Sequence, residues 1–268
     1  MIDLASYFSR IALTAPPCPD EAALRAIVLA HAMHIPFENL DAWRGRTVDL
    51  RPEAIERKLV HERRGGWCFE QNGLLGAVLR QMGFDVTDYA ARVLWGRPTD
   101  AITPRTHRLL GVKLPEGLHY VDVGFGGLTP TGVLAHAPGV EQVTPHEPMR
   151  LVEREGDLFM QALVRSEWLT LYRFDHHPQR PVDFEAANFQ LVHDPASYFR
   201  NKLIAALATP TGRLALSDRE LAIHHTDGSS ERRTLARGQQ VLDALARDFG
   251  ISLAGVDGLG ERFAAASG

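Results

Sequence analysis

The 268 residues carry 29 Lys and Arg against 33 Asp and Glu, a formal net charge of −4, so there is no basic surplus to draw the surface to a phosphate backbone, and nucleic acid is excluded as a first reading. With 45% apolar and 23% charged residues the chain can bury a sizeable core, which excludes wholesale disorder. No stretch approaches the roughly 18 consecutive apolar residues of a membrane-crossing helix, so no membrane association is expected.

The opening segment, 1–13, places Asp3 and Arg10 inside an amphipathic pattern, unlike the charged-then-apolar layout of a secretory signal, and export is not expected. The two cysteines, Cys18 and Cys68, supply neither a disulfide framework nor paired zinc spacing, which fits a reducing cytoplasm and leaves a reactive thiol open. Helices are predicted over 21–33 and over 52–62, the second opening on Pro52. A third is predicted over 68–82, where Leu74, Leu75, Val78, Leu79 and Met82 recur at helical spacing and Gly83 follows as a stop.

From about Tyr89 the pattern changes to short runs, 91–94, 108–114, 118–123, 150–152, 158–164 and 169–174, read as strands. Turn residues at Pro115-Glu116-Gly117, Gly126-Gly127 and Glu155-Gly156-Asp157 punctuate them, which predicts an antiparallel sheet curling toward a barrel. After Pro181, helices are predicted over 182–193 and 197–208. Strands at 213–216, 221–225 and 231–235 follow, with a hairpin at Asp227-Gly228. An amphipathic helix over 238–249 precedes a tail expected to fray.

The densest chemical signal is Arg63-Arg64-Gly65-Gly66-Trp67-Cys68-Phe69-Glu70-Gln71-Asn72. Two glycines free the backbone just before a cysteine that opens a helix, and the unpaired amides and positive dipole end there favour a thiolate, the attacking form of sulfur. Such a nucleophile needs a base and the base an orienting group. His107 at the start of one strand and Asp122 in the next are the candidates. A turn at 115–117 with two or four loop residues sets His107 opposite Gly124. Asp122 is then two positions away on the same face, about 7 to 8 Å diagonally. A three-residue turn pairs His107 with Phe125 and puts Asp122 on the other face unless a bulge restores parity. Asp122 also interrupts an otherwise apolar strand, and buried Asp is rare without a partner.

These residues resemble the arylamine N-acetyltransferase family. The matching blocks are His34-Ile35-Pro36-Phe37-Glu38-Asn39-Leu40, the block from Arg64 to Asn72, Thr106-His107 and Val121-Asp122-Val123-Gly124-Phe125-Gly126, with a looser Pro195-Ala196-Ser197-Tyr198-Phe199. The resemblance implies an α+β fold: an N-terminal helical bundle (1–86) carrying the nucleophile, a central antiparallel β-barrel (87–190) carrying His and Asp, and a C-terminal α/β lid (191–268). It implies a Cys68, His107, Asp122 triad working by a ping-pong route, with acetyl-CoA as acetyl donor and no metal. Arylamines, arylhydrazines or N-hydroxyarylamines are the implied acceptors. It also implies Gly124, Gly126, Gly127 and Thr106 on the CoA side and Phe37, Phe69 and Phe125 lining the acceptor side. A monomer or homodimer is expected. The competing reading is a cysteine hydrolase or transglutaminase-like enzyme, which uses the same order of Cys, His and Asp.

Glu38 and Arg64 have no step in that chemistry and are predicted to form a structural ion pair. His31 with His34, His176-His177 and His224-His225 lack the acidic or cysteine partners of a closed metal site and read as hydrogen-bonded or solvated histidines. The four tryptophans read as packing residues.

Overall fold

The computed structural model describes residues 1–16 and 18–259. The first part is helical: α1 (Leu4–Arg10), α2 (Glu21–His34), α3 (Leu40–Trp43), α4 (Pro52–Glu56) and α5 (Cys68–Gln81). Asp3 and Asp20 cap α1 and α2 by accepting from the amides of Ser6 and Ala23, which satisfies backbone groups the helix leaves open. The helix predicted over 52–62 is α4 running on into a π turn over Arg57–His61. The apolar faces of α2 and α5 close one core with the far side of the central sheet, through Leu24, Ile27, Leu75, Leu79, Leu110 and Val112.

Between α3 and α2 lies a two-residue strand that sequence reasoning did not find, β1 (Phe37–Glu38). The central region builds β2 (Asp85–Val93), β3 (Arg105–Leu114), β4 (Gly117–Val121), β5 (Leu134–Ala135), β6 (Glu141–Gln142), β7 (Met149–Arg154), β8 (Asp157–Val164) and β9 (Glu167–Gln179). They form one antiparallel sheet in the order β5-β4-β3-β2-β9-β8-β7-β6. Its two edges meet through a side chain: Gln142 donates to the carbonyl of Ala135 at 2.9 Å and accepts from the amide of Ala135 at 2.8 Å. The sheet is thus a nearly closed barrel, its interior filled by Tyr120, Leu151, Met160, Leu171 and Phe174. β2 and β9 run longer than their apolar centres, because the ladder continues into the polar ends 85–88 and 175–179.

The last part holds α6 (Asp183–His193), α7 (Tyr198–Asn201), β10 (Ile204–Thr209), β11 (Gly212–Ser217), β12 (Glu220–His225), β13 (Ser230–Thr234) and α8 (Gly238–Arg247). The helix predicted over 197–208 stops after one turn. Residues from Ile204 form a strand paired to β1 on one side and β11 on the other. Ala-rich local propensity yields there to a sheet in which this segment is an inner strand. The Asp227-Gly228 hairpin joins β12 to β13 as expected. Beyond Phe249 the tail, expected to fray, buries Ile251 and Leu259 in the core of this part; residues 260–268 lie outside the described ones.

Candidate active site

Cys68 is the first residue of α5 and sits where the three parts of the chain meet, packed with Phe37, Trp67, Phe69, Ala90, Phe184 and Ala206. It keeps 7% of its surface open. The approach to it needs glycine at Gly65, where a Cβ would stand 2.2 Å from the carbonyl oxygen of Pro36. The Trp67 amide, at the cap position, donates to Glu70 Oε2 at 3.1 Å, so the helix start is closed by its own side chain.

The hairpin from β3 to β4 pairs Leu114 with Gly117 and Leu110 with Val121. The turn therefore has two loop residues, Pro115 and Glu116, the parity that sets His107 opposite Gly124 and Asp122 on the face of His107. The two meet directly: His107 Nε2 lies 2.7 Å from Asp122 Oδ2. Nδ1 is then the ring nitrogen left free of Asp122, and Cys68 is close enough to the imidazole to help raise it. Thr106 is an extra residue on β3, since Ala91 pairs with His107 and Arg92 with Arg105. That bulge turns the Thr106 carbonyl to 3.5 Å from Cys68 Sγ.

Electrostatics follow from burial and pairing. Burial pushes the His107 imidazole down, but the charge and hydrogen bond of Asp122, with Cys68 beside it, outweigh this and raise it to about 10. Burial pushes the Asp122 carboxyl up, yet His107, Asn72 and the Gly124 amide hold it below its ordinary value. Asp122 Oδ1 accepts from Asn72 Nδ2 at 2.8 Å and from the Gly124 amide at 2.9 Å, which leaves Oδ2 to His107. Asn72 lies one turn along α5 from Cys68 and also accepts from the Val123 amide, so one buried amide ties the helix that Cys68 opens to the segment just after β4 that carries Asp122. Its spacing of four from Cys68 is visible in the sequence, but nothing in that pattern gives it a role. Tyr172, also missed, packs with its ring tilted 39° and centred 4.8 Å from the His107 ring, its hydroxyl beside Asp122.

The aromatic residues divide. Phe125 meets the His107 ring edge-on at 5.4 Å. Phe37 packs 6.1 Å from Phe199, which is 5.6 Å from Trp67. Phe69, expected on the acceptor side, is fully buried between Trp67 and Phe184 and stands one layer behind the surface. The glycines divide likewise. A Cβ on Gly124 would lie 2.6 Å from the Cα of Cys68, so the turn after Asp122 is pressed against α5 there. Gly126 faces the Phe37 ring, and Gly127 is exposed with open space around it.

The expected pair forms: Arg64 Nη2 lies 2.7 Å from Glu38 Oε1 and 3.3 Å from Asp41 Oδ2. Lys58 bridges Asp41 and Glu70, each at 2.7 Å, so the ion network reaches the capping carboxylate of α5. Among the described residues no three His, Cys, Asp or Glu converge as a metal cage.

The N-acetyltransferase family model matches residues 20–257. The arylamine N-acetyltransferase of Mycobacterium tuberculosis is 44% identical over 265 residues, covering 97% of this chain and 92% of the relative. The chain belongs to the arylamine N-acetyltransferase family. A Salmonella typhimurium relative named arylamine N-acetyltransferase / N-hydroxyarylamine O-acetyltransferase is 36% identical, covering 93% of this chain and 89% of its own length. The solved structure of Mycobacterium marinum arylamine N-acetyltransferase in complex with CoA superposes with a TM-score of 0.94 at 41% identity, covering 98% of this chain and 97% of that one.

Proposed function

We propose that this arylamine N-acetyltransferase moves an acetyl group from acetyl-CoA through a Cys68 thioester to the nitrogen of arylamines and arylhydrazines, and to the oxygen of N-hydroxyarylamines. The observation that carries the assignment of roles is the 2.7 Å contact of His107 Nε2 with Asp122, which turns the other ring nitrogen toward a sulfur at a helix start. Asp122 fixes the tautomer and favours the charged ring. The protonated ring is the proton donor beside the Cys68 sulfur, which is the nucleophile.

Cys68 Sγ attacks the acetyl carbonyl of the donor. The new S–C bond forms as the bond to the CoA sulfur breaks, and His107 gives its proton to the departing thiolate. The neutral His107 then takes a proton from the acceptor amine as its nitrogen attacks the Cys68 thioester, and the cysteine leaves as thiolate. For the donor, the surroundings fit: Gly127 is open, Gly126 presents no side chain, and the Thr106 carbonyl flanks the sulfur. We assign Thr106, Gly126 and Gly127 to the CoA side, with Gly124 packed behind them. Phe37 and Phe125 are assigned to the acceptor side, backed by Phe69. Their apolar surface favours an aromatic amine over water at the thioester.

We further propose the three-part division 1–86, 87–190 and 191–268, a monomer or homodimer, and a reducing cytoplasm, which fits two free cysteines. No helix of the described residues is long and apolar enough to cross a membrane.

A donor and acceptor panel following CoA release, run with wild type and Cys68→Ala, tests the function. Release that depends on both arylamine and Cys68 is expected. Cleavage of peptide amides without CoA would instead identify a hydrolase.

A further inference from the structure

A second buried chain of hydrogen bonds ends on the same loop. Tyr7 Oη lies 2.9 Å from His31 Nδ1, and His31 Nε2 lies 2.7 Å from Gln71 Oε1. Gln71 Nε2 faces three carbonyl oxygens, those of Pro36 at 2.8 Å, Ile35 at 3.2 Å and Gly66 at 3.3 Å. All three side chains are fully buried. The carbonyls settle every proton in the chain. An amide oxygen turned toward three carbonyls would be repelled by each, so the atom there is nitrogen and Oε1 faces His31. His31 must then carry its proton on Nε2, and its bare Nδ1 accepts the Tyr7 hydroxyl. Burial agrees with a neutral ring, pushing His31 down to about 4.

We propose that Gln71, oriented by His31 and Tyr7, is a positioning residue for acyl transfer. The carbonyls it holds belong to the residues just before Phe37 and just before Trp67-Cys68. The two segments are also bonded to each other: the Gly66 amide donates to Pro36, the Glu38 amide to Gly66, and Phe37 pairs with Gly66. One segment carries the acceptor wall and the other the nucleophile. Gln71 lies on the helix that Cys68 opens, so its amide fixes that helix start against both.

Three buried polar side chains are costly unless each bond is made, and here each is made, the chain running from α1 through α2 to the start of α5. Removing the amide frees the Gly66-Trp67 turn and lets the helix-start amides drift from the sulfur. The inference rests on Cys68 being the nucleophile.

Alkylation of Cys68 by iodoacetamide, followed by mass across pH well below the melting temperature, tests it. Gln71→Leu is expected to slow alkylation at neutral pH by about tenfold, raise the pH midpoint, and lower kcat by a similar factor. His31→Leu, which leaves the Gln71 oxygen without a donor, is expected to move both readouts in the same direction. His31→Gln restores an N–H donor and is expected to return within about twofold of wild type. That histidine pair decides the matter if Gln71→Leu does not fold. Wild-type rate and midpoint in Gln71→Leu or His31→Leu, whatever happens to Tm, would overturn the positioning role. A wild-type Cys68 that alkylates at neutral pH no faster than an ordinary thiol would instead overturn the reading of Cys68 itself.

Discussion

At the scale of single residues, Asp122 has two oxygens with separate duties. One is held by Asn72 and Gly124, the other by His107. Asp122→Asn keeps the shape but loses the charge that favours the imidazolium, and kcat/KM is expected to fall by about 10³ to 10⁴, far more than for a change at His176; steady-state kinetics check this. The same contact ties stability to pH. His107 is raised from 6.5 to about 10, so its contribution is fully present below 6.5 and is lost as pH rises through about 10. Denaturant titrations at rising pH should show this alkaline loss in wild type, and His107→Gln should flatten it. His31 has the opposite sign, because a neutral ring lowered from 6.5 to about 4 costs stability as pH falls across that window. Cys68, behind two glycines at a helix start, and Asp122, inside an apolar run, each break a local pattern, whereas His107 is singled out in the sequence by its place at a strand start and by the family resemblance. Asn72 and Tyr172 break none, so only their contacts identify them.

At the scale of elements, the hairpin from β3 to β4 decided whether His107 and Asp122 could share a face, and the open question was the length of one turn. Pro115-Glu116 closes it with two residues. α5 depends on a network behind it, in which Arg64 holds Glu38 and Asp41 while Lys58 holds Asp41 and Glu70. Arg64→Met would strand buried carboxylates, and a loss of about 3 to 5 kcal/mol is expected in urea denaturation, with slower turnover. An unchanged midpoint would remove the network from the account. Gly124→Ala places a methyl against the Cα of Cys68, so kcat is expected to drop more than stability. The helix predicted over 197–208 shows where local reading stops. Ile204 to Ala208 is Ala-rich, and its pairing with β11 on one side and with β1, over 160 residues away in the chain, on the other makes it a strand.

At the scale of the molecule, the site exists because three segments distant in sequence close on one another. The helical part supplies the sulfur, the barrel supplies the imidazole and carboxylate, and α6 and the segment after it supply Phe184 and Phe199 around them. The order of textures along the chain separates a helical stretch, a strand-rich stretch and a mixed one. The seam between first and last did not show, since β1 is two residues long. Asn39 stitches it, donating to the carbonyls of Phe199 and Lys202 and accepting from the Ile204 amide. Asn39→Ala should speed hydrogen exchange across β10 while leaving the barrel strands protected, and should raise the acceptor KM through Phe199. The measurement that bears most directly on the whole account is intact-mass and peptide analysis after brief exposure to acetyl-CoA without acceptor. One acetyl group on Cys68, removed when an arylamine is added, is the expected result; an unmodified Cys68 under those conditions, or acetyl carried on another residue, would contradict it.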